Sequence, residues 1–191
     1  MSEPMTRGHV IMHTAAFMQQ NGPSSGHATD SETSVTLRSG LDDMTAAGFY
    51  PRRFHTELLS TLASARHGGA GDAGYARVLR CGASLLSLQN DFSVLLMKIL
   101  TPDLFIKKLP RFWLRDHGSF GTCEIEALDP SVREARVRLS GVAGYDHIGI
   151  FWLGWLQGML GELVATADVR QTGWSWQDSG PSEIIYEVKW S

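Results

Sequence analysis

The apolar stretch from Ile148 to Ala165, IGIFWLGWLQGMLGELVA, constrains the fold more than any other part of this sequence. Its periodicity is helical, and Gly154, Gly158 and Gly161 fall at i, i+4 and i+7, on one face of the helix. Because that face carries no side chains, we expect a neighbouring helix or sheet to approach it closely. A glutamine and a glutamate interrupt the run, which therefore predicts a buried helix and not a membrane span.

Residues on both sides of this helix alternate between polar and apolar types, as half-buried strands do. Thr122 to Ala127 and Glu134 to Leu139 flank an Asp-Pro turn and predict one hairpin. Asp168 to Trp176 and Ile184 to Trp190, joined by the turn QDSGPS, predict a second. The sequence therefore predicts a four-stranded antiparallel sheet made of two hairpins separated by one helix.

Helical patterns precede the first hairpin. The predicted helices run from Pro51 to Arg66, from Asp72 to Asn90, from Phe92 to Leu100 and from Pro102 to Leu109. We expect Pro110 to end the last of them, because proline lacks the N–H that a helix needs. These segments predict an N-terminal helical layer packed on the sheet, which is an α+β fold.

The segment from Gln19 to Ser34 has the composition of a linker, rich in Gly, Ser and Thr. We therefore expect residues 1–34 to be a flexible N-terminal tail and linker, and residues 35–191 to form a single α+β ligand-binding-like domain. A short amphipathic segment from Val10 to Met18, docked on the domain or on a partner, is the alternative to a frayed terminus.

Composition narrows the function classes. The formal net charge is −3, and the 17 basic residues are not gathered into one block, which disfavours nucleic-acid binding. The only cysteines, Cys81 and Cys123, form no CxxC pair and indicate a reducing compartment. With no recognisable signal peptide, the expected location is cytoplasmic.

The six tryptophans suggest a pocket and an interface. Trp174 and Trp176 fall on one side of a predicted strand, so an outward face there would form a dimer or partner interface. Core packing is the alternative to a pocket for the helical tryptophans. The candidate lining of a pocket for an apolar small molecule is Cys81, Phe92, Trp113, Trp152 and Trp155.

Two Asp-His pairs, Asp116-His117 and Asp146-His147, are candidates for a base or a metal site, with Cys123 close to the first. Hydrogen bonds that cap a helix or a turn are the more ordinary role for such aspartates. No phosphate loop, nucleophile elbow or HExxH motif occurs. We therefore predict no enzyme activity, no catalytic residue, no cofactor and no metal.

A basic run, KKLPRFWLR, contains Lys107, Lys108, Arg111 and Arg115 among apolar residues. It is compatible with contact to an anionic membrane or an acidic partner, and equally with an ordinary solvated helix end.

Three stretches carry a resemblance to known proteins: TPDLFIKKLPRFWLRDHGSFGTCEIEALD, GVAGYDHIGIFWLGWLQGMLGELVA and the closing EIIYEVKW. They resemble an uncharacterised bacterial family, best known from myxobacteria, over about residues 40–191. That family in turn resembles the ligand-binding superfamily of 4-vinyl-reductase-type domains, Golgi-transport (Bet3-like) subunits and haem nitric-oxide sensors.

The resemblance implies binding of acyl chains, small aromatic molecules or haem in or beside the helical layer, and dimerisation. Haem sensors of this kind use a histidine and a Tyr-x-Ser-x-Arg motif, but the segment from Tyr75 to Arg80 lacks the serine. The Golgi subunits carry an acyl-accepting cysteine, for which Cys81 is the candidate, with a buried core thiol as the alternative.

The leading hypothesis from the sequence is a non-enzymatic domain that binds an apolar small molecule or regulates a partner, and that forms a homodimer. A scaffolding subunit is the second hypothesis. The third is a haem or metal sensor that uses His117 or His147.

Overall fold

A computed structural model describes residues 4–21, 43–64, 72–85, 100–118, 120–145, 147–177 and 180–191, without the side chains of 72, 174–177 and 180–181. Two short strands and three helices come first: β1 (Met5–Arg7), α1 (Gly8–Asn21), β2 (Phe49–Pro51), α2 (Arg53–Ser64) and α3 (Asp72–Ser84). They are followed by α4 (Pro102–His117), β3 (Thr122–Asp129), β4 (Glu134–Ser140), α5 (Ile148–Gly161), β5 (Ala167–Gln177) and β6 (Gly180–Trp190).

The predicted α+β architecture is confirmed. The sheet has the strand order β3-β4-β6-β5, and every neighbouring pair is antiparallel. The two hairpins therefore join through β4 and β6, with the helix α5 between them in sequence. The inward residues of the central strands, such as Val137, Tyr186 and Val188, are fully buried, so the core lies between this face and the helices.

Helix α3 packs on the glycine face of α5, as the spacing of the glycines predicts. A β-carbon added to Gly154 would lie 1.9 Å from the Leu79 carbonyl oxygen, and one added to Gly158 would lie 2.7 Å from that of Ala83. Gly82 of α3 returns the contact, 1.9 Å from the Phe151 carbonyl. The two helices therefore touch backbone to backbone, which only glycine permits. Gly161 has nothing within 4 Å.

Helix α4 does not end before Pro110, and this sequence prediction was wrong. The helix continues for two further turns to His117, with Pro110 inside it. Pro110 leaves the Ile106 carbonyl without its usual helical partner. The apolar side that buries Phe105, Leu109 and Trp113 continues through the proline, and this packing holds the helix together.

The N-terminal segment also differs from the flexible tail expected from the sequence. Met5–Arg7 pairs with Phe49–Pro51, and α1 buries Ile11 and Thr14 completely. The N-terminal segment is packed on the domain because one side of α1 is buried against the core. The proposed linker and the boundary at residue 34 lie outside the described residues, as does the third predicted helix up to residue 99, so the domain division stays a prediction. No helix among the described residues is long and apolar enough to span a membrane.

Candidate functional site

Helices α4 and α5 bring three of the predicted pocket residues together. The ring centroids of Trp113 and Trp152 lie 5.0 Å apart, and those of Trp152 and Trp155 lie 4.8 Å apart. All three side chains are at most 3% exposed. Phe105 and Phe112 extend this aromatic cluster, each ring 5.8 to 5.9 Å from that of Trp155. The tryptophans thus contact one another directly between the two helices.

Of the two other predicted pocket residues, Cys81 is the one in the described part of the chain. Cys81 is fully buried on α3, where its carbonyl oxygen lies 2.9 Å from Nε2 of His13. Phe92 lies outside the described residues. Burial raises the thiol pKa of Cys81 and of Cys123 to about 12, so both are protonated at neutral pH and inert as nucleophiles.

A directed chain of hydrogen bonds crosses the core from α1 to the loop before α5. The Thr14 hydroxyl donates to the Val10 carbonyl, so it can only accept from Nε2 of His55 at 2.9 Å. Nδ1 of His55 is then the acceptor of a hydrogen bond that the Tyr145 hydroxyl donates. His55 and Tyr145 are 0% exposed. One neutral tautomer of His55 is therefore fixed from both sides.

His117 lies beside this chain and is 2% exposed. Trp152 donates from Nε1 to Nε2 of His117 at 3.3 Å, so the proton of the neutral imidazole is on Nδ1. That nitrogen is buried and has no hydrogen-bond partner. Burial lowers the pKa of His117 to about 4, against the opposing attraction of Asp116. The ring of Tyr145 contacts both histidine rings: its centroid lies 5.6 Å from that of His55 and 5.7 Å from that of His117.

The Asp116 and His117 side chains make no hydrogen bond to each other. The Asp116 carboxylate accepts two hydrogen bonds from Arg115, at 2.6 and 2.7 Å, and lies 3.6 Å from His9. It is thus ion-paired inside α4 and does not cap an element. Asp146 lies outside the described residues. Within the described ranges no group of three or more His, Cys, Asp or Glu side chains is placed to hold a metal ion.

Sequence reasoning missed the polar centre of this core. No local pattern singles out His13, Thr14, His55 or Tyr145, because their partners are 41 to 90 residues away, the intrahelical Thr14 to Val10 bond aside. One signal was present: two histidines, His9 and His13, interrupt an otherwise apolar N-terminal run. The backbones of Trp174 and Trp176 lie in β5, opposite Ile184 and Pro181. Their side chains are outside the described part, so the interface stays a prediction.

Comparison with known proteins gives a match in structure only. No protein-family model matches this chain, and no curated protein sequence is similar to it. Solved structures of H-NOX (haem-nitric oxide/oxygen binding) proteins are similar over almost the whole chain. The chain therefore has the fold of the H-NOX class, in agreement with the haem-sensor branch of the resemblance stated above.

Three of these structures show how uniform the likeness is. A point mutant of T. tengcongensis H-NOX is 9% identical, with a TM-score of 0.64 and 95% of each chain covered. An unliganded Fe(II) H-NOX mutant from K. algicida is 12% identical, with a TM-score of 0.65 and coverage of 97% and 96%. An oxygen-binding H-NOX domain related to soluble guanylate cyclases is 8% identical, with a TM-score of 0.64 and coverage of 97% and 95%.

Proposed function

We propose that this chain is a non-enzymatic regulatory domain that uses the H-NOX fold without haem. The observation that carries this proposal is the aromatic packing between α4 and α5: the fold matches H-NOX structures over at least 95% of the chain, and in the described part of this chain three buried tryptophans contact one another between these helices. Regulation would then act through binding and changes of packing, not through chemistry at a cofactor.

The residues that the structure describes do not fit haem. An axial histidine needs a free ring nitrogen that faces open space beside it. Nδ1 of His13 and Nδ1 of His117 are the unpartnered histidine nitrogens in the described core, and neither is accessible to solvent. The rings of Trp113, Tyr145 and Trp152 surround His117, with centroids 4.2, 5.7 and 6.3 Å away. A porphyrin could reach it only if these rings moved.

The sequence agrees with this assessment. A Tyr-x-Ser-x-Arg segment is required for the carboxylate clamp of the haem sensors that the sequence resembles. None of the four tyrosines, Tyr50, Tyr75, Tyr145 and Tyr186, has a serine two residues later. The place of Tyr75 in the structure supports the same reading, since its side chain is 46% exposed on α3.

The absence of enzyme activity is also supported by the state of the polar core. Both cysteine thiols are protonated and buried. Burial lowers the pKa of His13 and His55 as well as that of His117, so these histidines are neutral at neutral pH. A base needs contact with a substrate, and these rings are at most 3% exposed.

An apolar small molecule remains a candidate ligand on different grounds. Trp113, Trp152 and Trp155 form the apolar surface that such a molecule would contact, and it would have to displace at least one indole ring. Native mass spectrometry of the freshly purified protein tests this directly: extra non-covalent mass identifies the ligand, and a bare chain mass counts against it.

Absorption spectroscopy tests the haem-free assignment. The full chain is expressed with a haem precursor in the medium, purified, incubated with haemin and passed through a desalting column. We expect no stoichiometric Soret band. A stoichiometric band that is lost in the His117→Ala variant would overturn the proposal and establish His117 as the iron ligand, and a band that survives this variant would overturn it through another ligand.

A further inference from the structure

We propose that the exposed face of α4 binds an acidic amphipathic helix of a partner protein. This α4 basic face consists of Leu104, Lys107, Lys108, Arg111 and Leu114. The inference deepens the proposed regulatory function and rests on it, because a haem-free domain without catalysis needs a surface through which to act.

The face is defined by helical spacing. Its five residues follow one another by one or three positions and lie on the side of α4 opposite Phe105, Ile106 and Leu109, which are 0% exposed. All five are exposed, with Leu104 at 42% and Leu114 at 60%. From the first leucine to the last the face is about 15 Å long, at 1.5 Å per residue. That length suits about three turns of a second helix.

The charges on this face are only partly compensated within the described part of the chain, where Asp103 interacts electrostatically with Lys107. None of its ion pairs includes Lys107, Lys108 or Arg111. Arg115, one turn after Arg111, is held by the carboxylate of Asp116. The face is therefore a cationic patch on a chain whose net charge is −3, and its complement is an acidic surface.

Apolar exposure continues past the end of the helix. The Phe49 ring, 41% exposed, lies 3.9 Å from a β-carbon placed on Gly118, and the Arg7 guanidinium stands 4.8 Å above that ring. Phe49, Leu104 and Leu114 are three of the six large apolar side chains exposed in the described ranges. Exposed apolar side chains and cations thus occur together on α4 and beside its C-terminal end, which is the mixed apolar and charged character of a docking site.

A protein helix suits this surface better than a membrane. Exposed apolar side chains are separated by cations along a strip one helix wide, whereas a membrane-bound helix presents a continuous apolar face to the acyl chains. The negative net charge of the whole chain also opposes approach to an anionic bilayer. A leucine stripe flanked by glutamates would satisfy both the leucines and the cations.

Fluorescence anisotropy with a synthetic peptide tests the proposal. The probe is a labelled amphipathic helix with a leucine stripe flanked by glutamates, and its glutamine analogue is the peptide control. We expect saturable binding to the full chain, weakened at least tenfold by K107E/K108E and severalfold by Leu114→Ser. Binding should weaken further as salt rises, because salt screens exposed charges.

The matched control is R170E/K189E, which changes the net charge by the same amount. Both residues are exposed on β5 and β6, and β5 is at the sheet edge opposite β3, which α4 contacts. We expect this variant to bind within twofold of the wild type.

An equal loss of peptide affinity in K107E/K108E and R170E/K189E would overturn the proposal. A wild-type chain that does not bind the peptide would also overturn it. A third outcome would also overturn it: phosphatidylserine vesicles bind the wild-type chain, K107E/K108E abolishes this binding, and the peptide does not bind. None of these outcomes changes the Soret measurement, so the two proposals fail separately.

Discussion

At the scale of single residues, the Tyr145 hydroxyl donates the hydrogen bond that Nδ1 of His55 accepts. In Tyr145→Phe, Nδ1 of His55 remains buried without a donor, which costs about 1–3 kcal/mol of unfolding free energy. Tyr75→Phe is the matched control, because this tyrosine is 46% exposed, and we expect it to change stability by less than about 0.5 kcal/mol. Urea titration followed by circular dichroism measures both, and equal stability of the two variants would contradict the fixed hydrogen-bond chain.

The same residues show why the site was largely hidden in the sequence. Trp113, Trp152 and Trp155 could be selected because large aromatic residues in helical patterns are conspicuous, and the structure does bring them together. His55 and Tyr145 are 90 residues apart, and each looks ordinary in its own segment. Their pairing depends on how distant elements meet, which no local pattern records.

At the scale of elements, the contact between α3 and α5 depends on Gly154. In Gly154→Ala the new methyl group would collide with the Leu79 carbonyl. The helices must then separate, and we expect a loss of about 1–3 kcal/mol or more. Gly161→Ala is the control on the same helix: nothing lies within 4 Å of it, so helix propensity favours alanine by up to about 1 kcal/mol. In a thermal melt we expect the midpoint temperature to fall in Gly154→Ala and to rise in Gly161→Ala.

Some of the helices and strands could be predicted from local sequence patterns, whereas others depend on packing between distant segments. The four strands and the glycine-faced helix were predicted because period and turn residues are local signals, and both hairpins formed within a few residues of their predicted bounds. The extent of α4 was not predicted, because the buried side beneath Pro110 outweighs the local penalty of a proline. The order of α1 likewise depends on distant partners, such as the contact of His13 with Cys81.

At the scale of the whole molecule, the buried histidines make stability depend on pH. His117 takes up a proton near pH 6.5 when unfolded but only at about pH 4 when folded. The unfolded state therefore binds more protons in this window, and stability falls as pH decreases from 6.5 to about 4. The difference corresponds to about 3 kcal/mol for this residue, and the lowered pKa of His13 and His55 acts in the same direction.

Urea midpoints measured across this range test the prediction. In His117→Phe the pH dependence should be shallower than in the wild type, whatever the change in absolute stability. An unchanged slope would mean that His117 does not stay neutral in the folded protein.

The position of β6 in the sheet has a consequence for how the chain folds. β6 follows every other described strand in sequence, yet it lies between β4 and β5 and pairs with both along most of its length. The edge of β4 that faces β6 therefore has no partner strand until the hairpin of β5 and β6 has been synthesised. Because β4 gains this partner only through β6, we expect the sheet to close when the hairpin of β5 and β6 docks on β4.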